Sequence, residues 1–256
     1  MILHFKTSGA GQPLIILHGL LGMLDNWLSV AKELEKYFTV YLIDQRNHGR
    51  SPHTQEHSYA LMAEDLSEFY VQQGLSTAHI LGHSMGGKTA MQFALAYPEK
   101  VQRLTVADMG VRSYESGHDE IFDALFSIDL PKIHYRADAE KILLDKIDDF
   151  TVRQFLLKSL ARKTDGSYFW RFNLEALYRN YESEIQAAVQ SNKIFTGKTL
   201  FIRGERSNYV KNEDWDEIQS LFPNATLFTI KDAGHWVHAD KPKEFIATVI
   251  SFLQSE

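Results

Sequence analysis

Short β-branched or leucine-rich runs, each ending in small or polar residues and alternating with helical patterns, leave few folds open to this chain. The first four are "LIILHG" (14–19), "VYLIDQ" (40–45), "AHILGHS" (78–84) and "RLTVADMG" (103–110). Continuous runs of this length suit strands buried on both faces. Helical periodicity lies between them, from Trp27 to Tyr37, Tyr59 to Gln73 and Met85 to Tyr97. On the second of these helices, Asp65 and Glu68 are expected on the solvated side. Strand–helix alternation requires right-handed crossovers and so predicts a mostly parallel sheet with helices on both faces.

The rhythm changes after residue 110. Residues 111–195 hold no convincing strand and read as helices, such as "AEKILLDKIDDF" and "VRQFLLKSLARK", with a turn at Thr164 to Gly166. Strand runs return at "KTLFIRG" (198–204) and "ATLFTIKDAGH" (225–235), and the helical "KEFIATVISFLQS" closes the chain. The expected organisation is an α/β core of residues 1–110 and 196–256. A helical cap, 111–195, is inserted over the carboxyl edge of the sheet, where α/β proteins bind ligands.

Composition narrows the function classes. A formal charge of −6 gives no electrostatic footprint for nucleic acid. The absence of cysteine excludes disulfides, thiol nucleophiles and thiolate metal sites, and fits a reducing, cytoplasmic compartment. "MILHFKTSGAGQP" lacks the basic flank and apolar core of a signal peptide. No apolar run approaches the roughly 20 residues that span a bilayer. No H-E-x-x-H spacing points to a metal, and no glycine-rich phosphate loop follows the first strand, so no cofactor is expected.

The chemistry concentrates in three places. "GHSMG" (82–86) fits G-x-S-x-G between a strand and a helix, the setting that raises a serine, here Ser84, at the sheet edge. The helix starting near Met85 turns its positive end toward developing negative charge at Ser84. "DAGHWVH" places His235 after the last strand, in the order serine then histidine. Among 11 histidines His238 is its rival, with a packing role the expectation for that ring. "LHGLLG" (17–22) follows the first buried strand, and the backbone N–H groups of Leu20 and Met85 are the candidate oxyanion hole. His18 is expected to shape that loop.

On these motifs the chain resembles the α/β-hydrolases over its whole length. More narrowly it resembles the YbfF-type bacterial esterases, through "HGLLG", "IDQRNHGRSP", "GHSMGGKTAM", "HDEIF", "QFLLKS", "WRFN" and "GHWVHA". Lys88, close behind the serine, and "WRFN" in the cap narrow the match. The resemblance implies serine hydrolysis of esters, with acyl-CoA thioesters among the substrates of that group.

The triad acid is the least obvious member. The loop after "LFIRG", where many hydrolases carry it, holds Ser207 and Asn208 instead. An acid need only reach His235 Nδ1, so its place in the chain is free. Asp108 ends the strand beside the one carrying Ser84 and is the assignment, which the resemblance also supports. Glu205 is the rival, and Asp232 is too close in sequence to His235. For the pocket, Phe169, Trp170 and Trp236 are expected to offer an apolar wall, and Arg46 and Arg171 a basic group at its mouth. Salt bridges of Arg46 with Asp44, Asp119 or Glu120 are the structural alternative. Carbon–carbon hydrolysis, a cofactor-free haloperoxidase activity, and a non-catalytic receptor on the same scaffold remain open.

Overall fold

The computed structural model describes residues 1–115 and 117–255. Among the described residues nine strands occur in chain order: β1 (Phe5–Ser8), β2 (Gln12–Leu17), β3 (Phe38–Ile43), β4 (Ala78–His83), β5 (Val101–Ala107), β6 (Leu160–Arg162), β7 (Tyr168–Trp170), β8 (Thr199–Gly204) and β9 (Ala225–Ile230). Seven form one sheet in the order β1-β3-β2-β4-β5-β8-β9. All neighbours in it are parallel except β1, which runs antiparallel to β3.

Every residue of β4 is buried, as expected of a central strand covered on both faces. Alternate side chains on the strands serve opposite faces. Ile15 and Leu17 join a core with helices α2 (Tyr59–Gln73) and α3 (Met85–Ala96), whereas Leu14 and Ile16 join one with α1 (Leu28–Leu34) and the final helix. Each large aliphatic or aromatic side chain sealed there contributes roughly 1.5–3 kcal/mol. Ser58 caps α2 by accepting the Leu61 N–H, and Gly74 ends it at φ 65°, the left-handed geometry glycine adopts without strain.

Between β5 and β8 the chain passes through α4 (Asp119–Phe126), α5 (Arg136–Leu144), α6 (Phe150–Lys158) and α7 (Leu174–Arg179), then a π-helical turn at Tyr181–Ile185. Among the described residues none of this segment pairs into the seven-stranded sheet. It encloses an apolar cluster around Phe122, Leu143, Leu157 and Leu177, which Leu21 of the first βα loop joins. After β8 come α8 (Trp215–Leu221), α9 (Val237–Asp240) and α10 (Pro242–Gln254). Among the described residues no helix is long and apolar enough to cross a membrane.

Two local expectations need correction, and one strand was not expected. The segment 111–195 does contain strands: "LARK" leaves the helix and pairs as β6 with β7, so the turn at 164–166 is a hairpin turn. Strand β1 had no apolar run to mark it, because three of its four residues are exposed at the sheet edge. Asp65 is buried, not solvated, because a guanidinium meets it from the loop after β3.

Candidate active site

Sheet register sets the site. Gly82 and His83 of β4 lie opposite Val106 and Ala107 of β5, and Ala107 lies opposite Ile202 of β8. The ladder continues one residue further. The Ser84 N–H donates to the Ala107 carbonyl at 3.1 Å, and the Asp108 N–H to the Ile202 carbonyl at 2.7 Å. Ser84 and Asp108 therefore leave adjacent strand ends toward the same cleft.

Ser84 sits at φ 53°, ψ −122°, a conformation that disfavours a side-chain-bearing residue by about 1–3 kcal/mol. The tight packing around it sustains that geometry. A Cβ on Gly82 would strike the Gly86 carbonyl oxygen, and one on Gly86 would strike that of Leu17. The N–H of Met85, first residue of α3, belongs to the helix turn that lacks intrahelical acceptors.

His235 Nδ1 lies 2.7 Å from Asp108 Oδ2. The aspartate is fully buried and further bonded: Oδ1 accepts the Gly204 N–H at 3.0 Å, and Oδ2 accepts the Ser207 hydroxyl. With Asp108 Oδ2 as the acceptor, the ring proton of His235 sits on Nδ1, which leaves Nε2 facing away as the basic atom. Ser207, in the loop after β8, thus donates to Asp108 at the end of β5. Glu205 is exposed and accepts the Asp232 N–H at 3.0 Å, while Asp232 pairs with Arg206 at 2.6 Å. Glu205→Gln is therefore expected to leave kcat within about twofold of wild type, as for a surface substitution away from the site, in a steady-state ester assay.

His238 is a packing residue. It is buried, stacks on Trp27 with ring centroids 4.2 Å apart, and burial pushes its pKa down to about 3. The first βα loop is held by two further imidazoles. The Leu21 N–H donates to His48 Nε2 and the Gln45 N–H to His18 Nε2, each at 3.1 Å. Burial lowers the pKa of both rings, which keeps them neutral and able to accept. Leu21 adopts φ 59°, and among the described residues the Leu20 N–H has no protein acceptor.

Ser84 and His235 open onto a cavity of about 510 Å³ whose apolar wall includes Leu20, Leu21, Trp27, Val152, Phe155 and Trp236. The Trp236 ring lies 5.5 Å from that of Phe155. Phe169, Trp170 and Arg171 do not line it. The β6–β7 hairpin faces the segment's own core, where Trp170 is buried and stacks on Phe172 at 5.1 Å. Phe169 packs beneath Lys163, and the Arg171 N–H is spent on the Ser159 carbonyl. The wall comes instead from α6. Among the lining residues that sequence reasoning missed are Tyr209 and His118. Tyr209 stacks on the His235 ring at 3.9 Å, and no spacing marked it. The His118 Nδ1 meets the Tyr181 hydroxyl, and burial, with His235 nearby, pushes its pKa down to about 4.

Arg46 is likewise absent from the cavity wall. It grips Asp65 in a bidentate pair, Nε to Oδ2 at 2.6 Å and Nη2 to Oδ1 at 2.9 Å, with both side chains buried. Asp44 instead accepts the N–H groups of Leu24 and Arg50. Removing one partner strands a buried charge, so Asp65→Ala should lower stability by about 3–5 kcal/mol in urea unfolding.

The α/β-hydrolase fold family matches residues 12–242. The chain is 34% identical to Esterase YbfF of Escherichia coli over 94% of this chain and 93% of the relative. It is 38% identical to the sn-1-specific diacylglycerol lipase ABHD11 of Danio rerio, over 98% and 81%. A solved structure titled a marine microorganism esterase superimposes with a TM-score of 0.95 at 46% identity, covering 98% of each chain. The chain belongs to the α/β-hydrolase family.

Proposed function

We propose that this α/β-hydrolase is a serine esterase, with acyl thioesters such as acyl-CoA within its range. The observation that carries this reading is the 2.7 Å contact between His235 Nδ1 and the buried Asp108, beside a strained serine that opens on the same apolar cavity. His235 Nε2 takes the hydroxyl proton as Ser84 Oγ attacks the acyl carbon. The N–H groups of Leu20 and Met85 receive the oxyanion, each such donor being worth roughly 3 kcal/mol of barrier. The imidazolium returns the proton to the departing alcohol or thiol, leaving acyl-Ser84. Water, deprotonated by the same nitrogen, then releases the acid and restores the serine.

Residues 111–195 act as a cap in this reading, and α6 supplies the surface that meets the acyl chain. The esterase and lipase names of the relatives favour esters over carbon–carbon bonds. The paired His235 and Asp108 favour a catalyst over a receptor.

A panel of p-nitrophenyl esters and acyl-CoAs of increasing chain length tests the assignment. Each methylene taken into an apolar wall is worth about 0.8 kcal/mol, so kcat/KM should climb roughly fourfold per methylene until the cavity is filled, then level or fall. Hydrolysis of no ester or thioester in the panel would overturn it.

A further inference from the structure

Lys88 is fully buried four residues after Ser84, and among the described residues it has no carboxylate partner in hydrogen-bonding reach. Its Nζ donates instead to three backbone carbonyls: Arg112 at 2.9 Å, Gln186 at 3.4 Å, and Ala187. Arg112 lies where the chain leaves the core for the 111–195 segment; Gln186 and Ala187 lie where it returns. These two stretches also bond each other, Tyr114 N–H to the Gln186 carbonyl at 2.9 Å and Val189 N–H to the Val111 carbonyl at 2.7 Å. A buried ammonium is costly unless its donors are satisfied, and burial here lowers its pKa to about 7. A methionine or leucine would fill the same space without that cost, so the charge is explained by what it binds.

The contacts continue to the reacting groups. The ammonium lies 4.8 Å from the centroid of the Tyr114 ring. The Tyr114 hydroxyl accepts the Gly110 N–H at 2.8 Å and donates to the Tyr209 carbonyl at 2.6 Å, and the Tyr209 ring covers His235. On the returning side, Gln186 Nε2 donates to the Tyr181 hydroxyl, which meets His118 at the cavity wall.

We propose that Lys88 is a positioning residue whose ammonium pins both ends of the 111–195 segment to the helix that begins behind Ser84. It thereby sets the distance of the acyl-binding wall, and of Tyr209, from Ser84 and His235. The kinetic part of this inference rests on the esterase reading above; the structural part does not.

The test combines hydrogen exchange with kinetics on wild type and Lys88→Met. In the wild type, the Tyr114 and Val189 amides should be protected and should open together, as one pinned unit. In Lys88→Met, exchange of peptides over 110–115 and 186–190 should speed up while the β4 peptide is unchanged. The variant should raise KM for a decanoate ester by about tenfold, the scale of a lost charge-assisted bond. Labelling of Ser84 by a small fluorophosphonate should change by less than about threefold, since the nucleophile and its acid are untouched. Equal losses on acetate and decanoate esters with unaltered exchange at the two ends would overturn the proposal. So would Tyr114 and Val189 amides that exchange freely or independently in the wild type, a result available even if Lys88→Met does not fold. A wild type that neither labels nor hydrolyses any ester would sink the esterase reading alone, and the exchange data would still decide for or against the pin.

Discussion

Ser84→Ala is expected to lower kcat for any accepted ester on the order of 10⁶-fold, the scale of removing an activated serine from a triad. The substitution deletes one oxygen. The strand–helix turn is held by Gly82, Gly86 and the Ser84 N–H bond to Ala107, none of which needs the hydroxyl. Circular dichroism and the unfolding midpoint should therefore match the wild type. The cavity and the Leu20 and Met85 N–H groups survive, so substrate should still bind and a small rate above water should persist. A variant that folds and turns over at near-wild-type rates would show that the covalent route does not pass through Ser84.

Asp108→Asn is the second large effect, a loss in kcat on the order of 10⁴-fold. The amide keeps the size of the carboxylate. Its nitrogen, however, donates where His235 Nδ1 now finds an acceptor, so the ring is driven to the tautomer with its proton on Nε2, where it no longer serves as a base. The Gly204 N–H and Ser207 hydroxyl also lose a charged acceptor. Because the Ser207 hydroxyl already reaches Asp108 Oδ2, position 207 lies within reach of the acid's place. Ser207→Asp in the Asp108→Asn background is accordingly expected to recover part of the lost kcat, measured under saturating ester. A crippled Glu205→Gln beside an active Asp108→Asn would place the acid in the late loop after all.

Much of the architecture was legible because a strand buried on both faces is rich in apolar residues on both faces. Ile80 and Leu81 of β4, and Leu200, Phe201 and Ile202 of β8, are of that kind. An edge strand leaves no such trace, and "FKTS" of β1 reads as polar loop. In "FLLKSLARK" the helical periodicity of α6 runs straight into β6, and only the pairing of Leu160 with Trp170 across the turn separates the two. Asp65 looked solvated because Glu68, one turn along α2, is; the partner that buries it, Arg46, comes from another element and shares no periodicity with it.

The candidate site divides in the same way. Ser84 and His235 stand in local patterns whose chemistry depends on immediate neighbours, and Asp108 followed from which strand lies next to which. Pocket residues depend on how a long insertion turns its faces. An aromatic run such as "YFW" says that something is buried, not what it is buried against, and here the hairpin faces inward on its own helices. Tyr209 covers His235 from a loop whose sequence announces only a turn.

The central claim is a covalent intermediate on Ser84, and intact-protein mass spectrometry followed by peptide mapping tests it most directly. Wild type treated with a fluorophosphonate should gain one adduct mass, on the peptide carrying Ser84 and on that residue, with ester hydrolysis lost in proportion. Preincubation with a slowly deacylating ester should slow the labelling. An enzyme that hydrolyses esters while Ser84 stays unmodified, or whose adduct maps to another residue, would contradict the account.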